Sequence, residues 1–198
     1  MKLKINIILI SFPLLAINLE RPDGSILKAF FTPHDNLEEQ LCAHIANEQK
    51  EICIMVYYIT DPFIIDALKK AQKRDVKVTI IIDYWWATHN KNSLEKHTSD
   101  IQIHACKPLK GGVMHHKFVL FKSNLRNKPL IWSGSFNLSK RSQSSNDENI
   151  IVSNDIELYQ QYEKIFDESK ERATSLAHVP YKPKTRKENL KIRVKNVK

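Results

Sequence analysis

Short apolar segments that alternate with helical patterns predict an α/β fold. Residues 51–59 (EICIMVYYI) and 76–83 (VKVTIIID) are apolar on both faces, which is typical of buried strands. Apolar stripes with helical spacing precede and follow these segments, and a chain that alternates in this way builds a sheet sandwiched by helices. The 198 residues are 42% hydrophobic and 27% charged, which fits one globular domain with a sizeable core. We therefore expect a mixed, mainly parallel β-sheet between helices.

The first 25 residues read as a targeting segment plus a linker. Two lysines precede an apolar run of about a dozen residues within residues 1–17, as in the charged and apolar regions of a signal peptide. The run is short for a membrane span. Few small residues mark a cleavage position, so a buried N-terminal strand and an uncleaved membrane anchor stay open. The favoured interpretation is export, to a secreted or periplasmic location.

The first half of the domain is predicted from caps and periodicity. Residues 26–31 form a strand, and Leu37, Leu41, His44 and Ile45 make the apolar stripe of a first helix. Asp61 is the N-cap of a second helix with proline at its first position, which ends near residue 73. The strands at 51–59 and 76–83 flank this second helix.

An aromatic triplet, Tyr84-Trp85-Trp86, follows the strand at 76–83, where open α/β sheets commonly place ligands. These rings suit stacking on a base or contact with a lipid head group. Core packing and a dimer contact are open alternatives. Residues 87–100 are polar and predict a loop with a short helix, and residues 101–105 predict another strand.

An H-x-K triplet lies in the apolar segment 115–121, which predicts a buried strand. Strand side chains alternate, so His115 and Lys117 share one face and His116 points to the other. A second segment, 129–132, ends in G-S-x-N, with Gly134 for a tight turn and Ser135 and Asn137 behind it. Farther on, Glu148 shares a strand face with the apolar residues Ile150 and Val152. A helical stripe then follows over residues 155–171.

These functional groups suit chemistry on a phosphate. A neutral imidazole at His115 can attack phosphorus and form a phosphohistidine. Lys117 and Asn137 can hold phosphate oxygens, and Glu148 can accept the other imidazole N–H and so fix its tautomer. The three cysteines, Cys42, Cys53 and Cys106, have no metal-ligand spacing and are predicted to be free thiols. We expect neither a metal nor another cofactor, because the cationic side chains neutralise the phosphate.

The segments HHK, GSFN and NDEN resemble the signature of the phospholipase D superfamily, over residues from about 28 to 166. The chain is most similar to short bacterial members with one motif per chain, which include secreted endonucleases and small phospholipase D-like proteins. The resemblance implies a phospholipase D-like catalytic domain over residues 26–175. It implies His115 as nucleophile, Lys117 and Asn137 as phosphate ligands, Ser135 as a supporting hydrogen-bonding group and Glu148 as the residue that orients His115.

One position departs from the superfamily pattern. The aspartate of the signature falls on Lys122, five residues after Lys117. In the superfamily that aspartate is mainly structural. Its replacement therefore bears on local support of the strand more than on the chemistry.

The charge of the chain is concentrated at its C-terminus. The formal net charge is +9, of which residues 181–198 carry +7. Residues 176–198 are predicted to form a basic, flexible tail. Such a tail favours nucleic acid, through phosphate contacts, but it also favours anionic membranes.

Three functions follow from these features. The favoured one is a metal-independent phosphodiesterase that cleaves nucleic acid in the manner of an endonuclease. The alternative is a phospholipase D that degrades phospholipid to phosphatidic acid, and the third is an inactive binding module. Because the chain has one H-x-K motif and the chemistry needs a nucleophile and a general acid, we expect a homodimer with the active site at its interface.

Overall fold

The computed structural model describes residues 24–98 and 101–183. Its strands are β1 (Leu27–Phe31), β2 (Glu51–Val56), β3 (Lys77–Asp83), β4 (Gln102–Cys106), β5 (Lys117–Phe121), β6 (Leu130–Gly134), β7 (Asn149–Ser153) and β8 (Thr174–Ser175). Its helices are α1 (Leu37–Asn47), α2 (Pro62–Gln72), α3 (Tyr84–Thr98), α4 (Lys140–Ser145) and α5 (Ile156–Arg172), with two short 3₁₀ turns at Leu125–Asn127 and Leu176–His178.

The strands form one mixed sheet in the order β1-β7-β6-β5-β2-β3-β4-β8. The α/β class and the mixed sheet are confirmed, but the expectation of mainly parallel pairing is wrong. In the described chain only β2–β3 and β3–β4 pair in parallel, and the other neighbours are antiparallel. The reason is the connections. Crossover helices α2 and α3 join the parallel strands, whereas a short link of residues 122–129 joins β5 to β6 as an antiparallel pair.

Local signals in the first half are confirmed residue by residue. The buried residues of α1 are Leu37, Leu41, His44 and Ile45, as its stripe predicts. The Asp61 carboxylate accepts hydrogen bonds from the first backbone N–H groups of α2, and Pro62 is its first residue.

The expectation of a loop with a short helix after β3 is wrong, because α3 runs for 15 residues. Its buried face contains two threonines besides Ala87 and Leu94, so it lacks the apolar stripe by which a helix is predicted. Leu176 and Val179 are buried in the core, which extends the folded unit past the predicted boundary at residue 175.

The two faces of the sheet are covered unequally. The larger core cluster joins alternate residues of the central strands, such as Ile54, Ile80 and Val119, to α1, α2 and α3. The opposite face packs its own alternate residues, including Met55 and Phe118, against α5 alone. Thus three helices cover one face and one long helix covers the other.

A buried polar network closes the sheet edge at which β2 begins and β5 ends. The Glu48 carboxylate is fully buried and accepts hydrogen bonds from the backbone N–H groups of Lys50 (2.8 Å), Glu51 (3.1 Å) and Ser123 (2.8 Å). The Asn124 amide donates to the His44 carbonyl at 2.8 Å. This network joins the end of α1 to the link between β5 and β6.

Three further predictions concern features outside the catalytic site. Cys42, Cys53 and Cys106 are free thiols, and only Cys106 is fully buried. Among the described residues, no helix has the length and apolar character needed to cross a bilayer. The targeting segment and most of the basic tail lie outside the described residues, so the export signal and the role of the tail stay predictions.

Candidate active site

The predicted site residues converge at one edge of the sheet. Strands β2 and β6 end at this edge, and β5 and β7 begin there because they run antiparallel to their neighbours. The register pairs Val56 with Lys117 and Gly134 with Ile150. The H-x-K segment, the G-S-x-N segment and the segment around Glu148 are therefore neighbours in space.

His115 and Lys117 form a direct pair. The Lys117 ammonium Nζ lies 3.1 Å from His115 Nδ1 and donates to the His115 carbonyl oxygen at 2.9 Å. Lys117 is buried to 9% exposure, whereas the imidazole of His115 is exposed. The pair thus presents an accessible ring backed by a partly desolvated cation.

The predicted strand at 115–121 is shorter than expected, because β5 begins at Lys117 and His115 lies in the segment that leads into it. The alternation of side chains is nevertheless present. His116 packs against Phe118, with ring centroids 6.0 Å apart, and Phe118 belongs to the core under α5. His116 therefore points away from the His115–Lys117 pair.

The environment keeps His115 neutral. Burial lowers the pKa of His115, the Lys117 charge lowers it further, and the Asp83 carboxylate opposes both effects. Burial also lowers the pKa of Lys117, against the opposing charge of Glu148. A protonated Lys117 donates to Nδ1, so the imidazole proton then resides on Nε2.

Glu148 is held by neighbours other than His115. The Ser135 hydroxyl donates to Glu148 Oε2 in a short hydrogen bond, and the Asn146 amide donates to Oε1 at 2.8 Å. The same Ser135 oxygen accepts the backbone N–H of Asn149 at 3.0 Å. The supporting role predicted for Ser135 thus has a partner, but the expected Glu148–His115 hydrogen bond is not made within the described chain.

Thr32, which sequence reasoning did not select, fixes the backbone around Glu148. Its hydroxyl accepts the Glu148 N–H at 2.7 Å and donates to the Asn146 carbonyl at 2.7 Å. Its own N–H donates to the Glu148 carbonyl at 3.0 Å. Thr32 follows β1, more than one hundred residues away in sequence, so no local pattern indicates this contact.

Gly134 is required by a close approach of two strands. A Cβ at this position would lie 2.0 Å from the Asn149 carbonyl oxygen. Ser135 N–H donates to that same oxygen at 2.9 Å. The absence of a side chain at Gly134, more than the tight turn that we expected, therefore lets Ser135 reach Glu148.

Asn137 lies in the loop after β6, which the neighbouring Leu138 anchors. The Leu138 carbonyl accepts the backbone N–H groups of Thr60 (2.9 Å) and Asp61 (3.0 Å). Within the described chain, Asn137 Oδ1 is buried and lacks a hydrogen-bond partner. An unpaired buried polar atom is costly, so a ligand that donates to Asn137 would remove that cost.

Asp83, at the end of β3, is a second residue that sequence reasoning missed. Its carboxylate is buried, and it accepts the N–H of Trp86 at 2.8 Å and the N–H of Met114 at 2.9 Å. The first contact begins α3 in the manner of an N-cap. The second fixes the residue immediately before His115, so Asp83 positions the predicted nucleophile. An aspartate at the end of a buried strand is the signal that could have indicated it.

Aromatic rings line the approach to His115. Tyr57 lies 5.3 Å from the His115 ring, Tyr58 lies 5.5 Å from Tyr57, and Trp86 stacks on Tyr58 at 5.4 Å. Trp85 is exposed and stacks on His89 at 4.3 Å. The aromatic triplet is thus divided, with Trp86 joined to the rings beside the site and Trp85 facing solvent.

Lys122 lies at the opposite edge of the sheet, just beyond the end of β5. Its ammonium is 3.4 Å from a carboxylate oxygen of Glu51. Lys117 and Lys122 are thus separated by the full length of a strand, about 17 Å at 3.4 Å per residue. Loss of the aspartate at this position therefore lies far from the His115–Lys117 pair.

No group of three or more His, Cys, Asp or Glu side chains within residues 24–98 and 101–183 is placed to hold a metal ion. The family profile described as "Cardiolipin synthase, PLD-like domain" matches residues 41–170, which include all five predicted site residues. The chain belongs to the phospholipase D superfamily.

Two relatives illustrate its place in the superfamily. A protein named phospholipase D from Rickettsia conorii is 26% identical over 148 residues, which are 73% of this chain and 70% of the relative. A mitochondrial cardiolipin hydrolase from Xenopus laevis is 25% identical over 137 residues, which are 68% of this chain and 62% of the relative.

Two solved structures are similar to the fold. Nuc, a phospholipase D family member from Salmonella typhimurium, superposes with a TM-score of 0.67 at 22% identity, covering 76% of this chain and 97% of Nuc. NucT from Helicobacter pylori gives a TM-score of 0.64 at 22% identity, covering 76% of this chain and 99% of NucT. The predicted phospholipase D-like fold is confirmed.

Proposed function

We propose that this chain hydrolyses phosphodiester bonds through a phosphohistidine formed on His115. The observation that carries the proposal is the pairing of an exposed imidazole with a buried ammonium 3.1 Å away, at the sheet edge where Ser135, Asn137 and Glu148 also lie. Membership of the superfamily supports the reaction class.

In the first step, phosphate oxygens bind Lys117 and the Asn137 amide. The anionic phosphate draws the Lys117 ammonium away from His115 Nδ1. Attack through Nε2 then requires the imidazole proton on Nδ1, and Glu148 is the carboxylate that we propose as its acceptor, after rearrangement of its contacts with Ser135 and Asn146. The Nε2–P bond forms as the bond from phosphorus to the leaving ester oxygen breaks.

The leaving oxygen needs a proton, and the second step needs a base. We propose that His115 of a second copy donates that proton as general acid in a homodimer. A water molecule then attacks phosphorus and gives its proton back to the same imidazole. The N–P bond breaks, a phosphomonoester leaves and the first His115 is restored.

Nucleic acid is the substrate that we propose first. Tyr57, Tyr58 and Trp86 form a continuous set of rings beside His115, and stacking of bases on aromatic side chains contributes about 1–3 kcal/mol per base. The +7 charge of residues 181–198 adds sequence-independent attraction to a phosphate backbone.

Phospholipid is the second candidate, and separate observations favour it. Leu109 is 79% exposed and Val113 is 46% exposed, both in the segment that leads from β4 to His115. Exposed apolar side chains near a nucleophile suit the surface of a bilayer. The relatives named phospholipase D and mitochondrial cardiolipin hydrolase also favour a lipid substrate.

The test compares two substrates with one matched control. The full chain is incubated with single-stranded DNA, with plasmid, and with phosphatidylcholine or cardiolipin vesicles, and His115→Ala is assayed beside it. Cleavage of DNA alone supports the first candidate, and release of phosphatidic acid alone supports the second. An acid-labile phosphoryl adduct that is absent from His115→Ala identifies the intermediate. Cleavage of neither substrate would contradict the proposal and favour an inactive binding module.

Metal independence has its own test, because Lys117 supplies the charge that a metal would otherwise bring. Activity should persist in EDTA at unchanged pH. Complete inhibition that magnesium or zinc reverses would contradict this mechanism.

The tail and the targeting segment are tested separately. Truncation after Pro180 should weaken DNA binding and reduce its salt dependence, whereas release from anionic vesicles without loss of DNA affinity would assign the tail to membranes. Export predicts that the protein is found in the periplasm or the medium. Recovery in the cytoplasm alone would contradict it.

A further inference from the structure

The face of the sheet under α5 is only half covered. Helix α5 packs on this face through Tyr159 and Phe166, over the strands that contribute Met55, Ile81 and Phe118. Its farthest contact toward β7 is the 3.0 Å hydrogen bond between the Tyr162 hydroxyl and Ser133 Oγ of β6. Strands β7 and β1 lie beyond that point.

The register places exposed apolar side chains on this uncovered half. Ile151 pairs with Ser133 on one side and with Ala29 on the other, and directly paired residues point to the same face. Leu27 and Phe31 alternate with Ala29 and share its face. Leu27, Phe31 and Ile151 are between 45% and 51% exposed. We call Leu27, Ala29, Phe31 and Ile151 the sheet strip.

The helix beside the strip carries a matching apolar flank. Leu158, Tyr162 and Ile165 are spaced four and three residues apart, so they form one row on α5. Tyr162 reaches β6, which orients this row toward the sheet strip. Ile165 is 41% exposed. We call these three residues the helix flank.

We propose that the sheet strip and the helix flank form the interface of a homodimer, with α5 of each copy on the sheet strip of the other. The uncovered strands β7 and β1 span about 10 Å, since strands are about 4.8 Å apart, and a helix with its side chains is about 10 Å wide. One face carries both a strip for a helix and an apolar helix flank, so a two-fold axis buries both at once.

The composition and place of the strip favour a second copy of this chain. The residues of β1 and β7 that face this side, which include Asn149 and Ser153 besides the strip, are all uncharged in a chain with 27% charged residues. The strip also ends beside the candidate site, because Phe31 pairs with Asn149 and precedes Thr32, which binds Glu148. The proposed chemistry needs a second His115, and in that respect the inference rests on the proposed function. The association itself does not.

Sedimentation of the full chain tests the interface without reference to activity. The wild-type protein should sediment at twice its chain mass of 23.1 kDa. Ile151→Lys should weaken dimerisation at least about 100-fold, because it places a charge in an apolar contact. Phe63→Lys is the matched control, since Phe63 is an exposed aromatic residue on α2, on the other side of the sheet, and it should leave the dimer intact.

A charge pair tests which surfaces meet. Ile165→Glu alone should also dissociate the dimer, and the double variant Ile151→Lys with Ile165→Glu should restore it, because each lysine then faces a glutamate of the other copy. Leu27→Lys, at the exposed start of β1, provides a second strip variant, and circular dichroism verifies that each variant is folded.

Two outcomes would overturn the interface. The first is a wild-type chain that stays monomeric at assay concentrations, and the second is a folded Ile151→Lys that still forms the dimer. A monomer whose binding to lipid vesicles is lost on Ile151→Lys would assign the strip to a membrane instead. An intact wild-type dimer without phosphodiesterase activity would support the interface and contradict the proposed function, so the two can be distinguished.

Discussion

The two edges of the sheet carry polar clusters of opposite character. At the far edge, the Glu48 carboxylate is fully buried and receives three backbone N–H groups at 2.8–3.1 Å. At the near edge, His115 is exposed, Lys117 is held only by His115, and Asn137 keeps a buried oxygen unpaired within the described chain. The same sheet thus ends in a satisfied network on one side and an incompletely paired one on the other.

This difference separates stability from chemistry. Polar groups with all their partners hold the fold and have no capacity for a ligand, whereas groups with free valences contribute little to stability and can bind one. The histidines follow the same division. Burial lowers the pKa of His44 to about 4, and its ring lies 5.8 Å from Phe121 and 5.9 Å from Trp132 in the core. We therefore expect mutations at the two edges to affect different measurements.

The largest expected effect is on turnover, at the near edge. His115→Ala should lower kcat/KM at least about 1000-fold, because it removes the nucleophile. The melting temperature should change little, since the side chain is exposed. His116→Ala is the control and should retain most activity. Near-normal turnover in His115→Ala would contradict the assignment.

At the far edge, the expected effect is on the free energy of unfolding. Glu48→Ala leaves several buried N–H groups without an acceptor and should destabilise the protein by about 3 kcal/mol. Glu48→Gln keeps one acceptor oxygen and should be milder. Urea denaturation measures both, and turnover of the folded fraction should be unchanged. A loss of kcat in folded Glu48→Ala would break the division between the edges.

Lys117→Met sharpens the electrostatic side of the comparison. The Lys117 charge lowers the pKa of His115, after burial, so its removal should raise that pKa. NMR titration of the His115 ring would detect the shift. In the wild-type enzyme the nucleophile must be neutral, so the acid limb of the pH–rate profile should lie below the ordinary histidine pKa. A His115 pKa that falls or does not move in Lys117→Met would refute this cause.

The smallest expected effect concerns the position where the superfamily has aspartate. Lys122→Asp removes one exposed contact with Glu51, which keeps a second contact with Lys77 at 2.6 Å. Such exposed pairs contribute about 0–1 kcal/mol. Stability should fall by no more than that, and kcat should be unchanged. A several-fold change in kcat would show that the two edges communicate.

Local patterns predicted those parts of the fold that local forces determine. The stripe of α1 and the cap of α2 depend on residues within a few positions, and both are found as predicted. Helix α3 has no such pattern, since threonines fill half of its buried face. Strand direction depends on which connections cross the sheet, and the period of apolar residues carries no information about that.

The same limit applies to the site. Sequence reasoning selected His115, Lys117, Ser135, Asn137 and Glu148 from motifs, and the structure brings their segments to one edge. It missed Thr32 and Asp83, whose partners are far away in sequence. Contacts of this kind are set by the register of the sheet, so they become visible only with the fold.

Thr32 connects two parts of the molecule that otherwise differ in role. It follows Phe31 of the sheet strip directly, and it holds the Glu148 backbone through both N–H and hydroxyl. A change at the strip therefore reaches the site through one peptide bond. Thermodynamic linkage makes such a connection reciprocal. If occupation of the strip tightens phosphate binding by some factor, bound phosphate tightens occupation of the strip by the same factor, and substrate would then promote assembly of the protein that cleaves it.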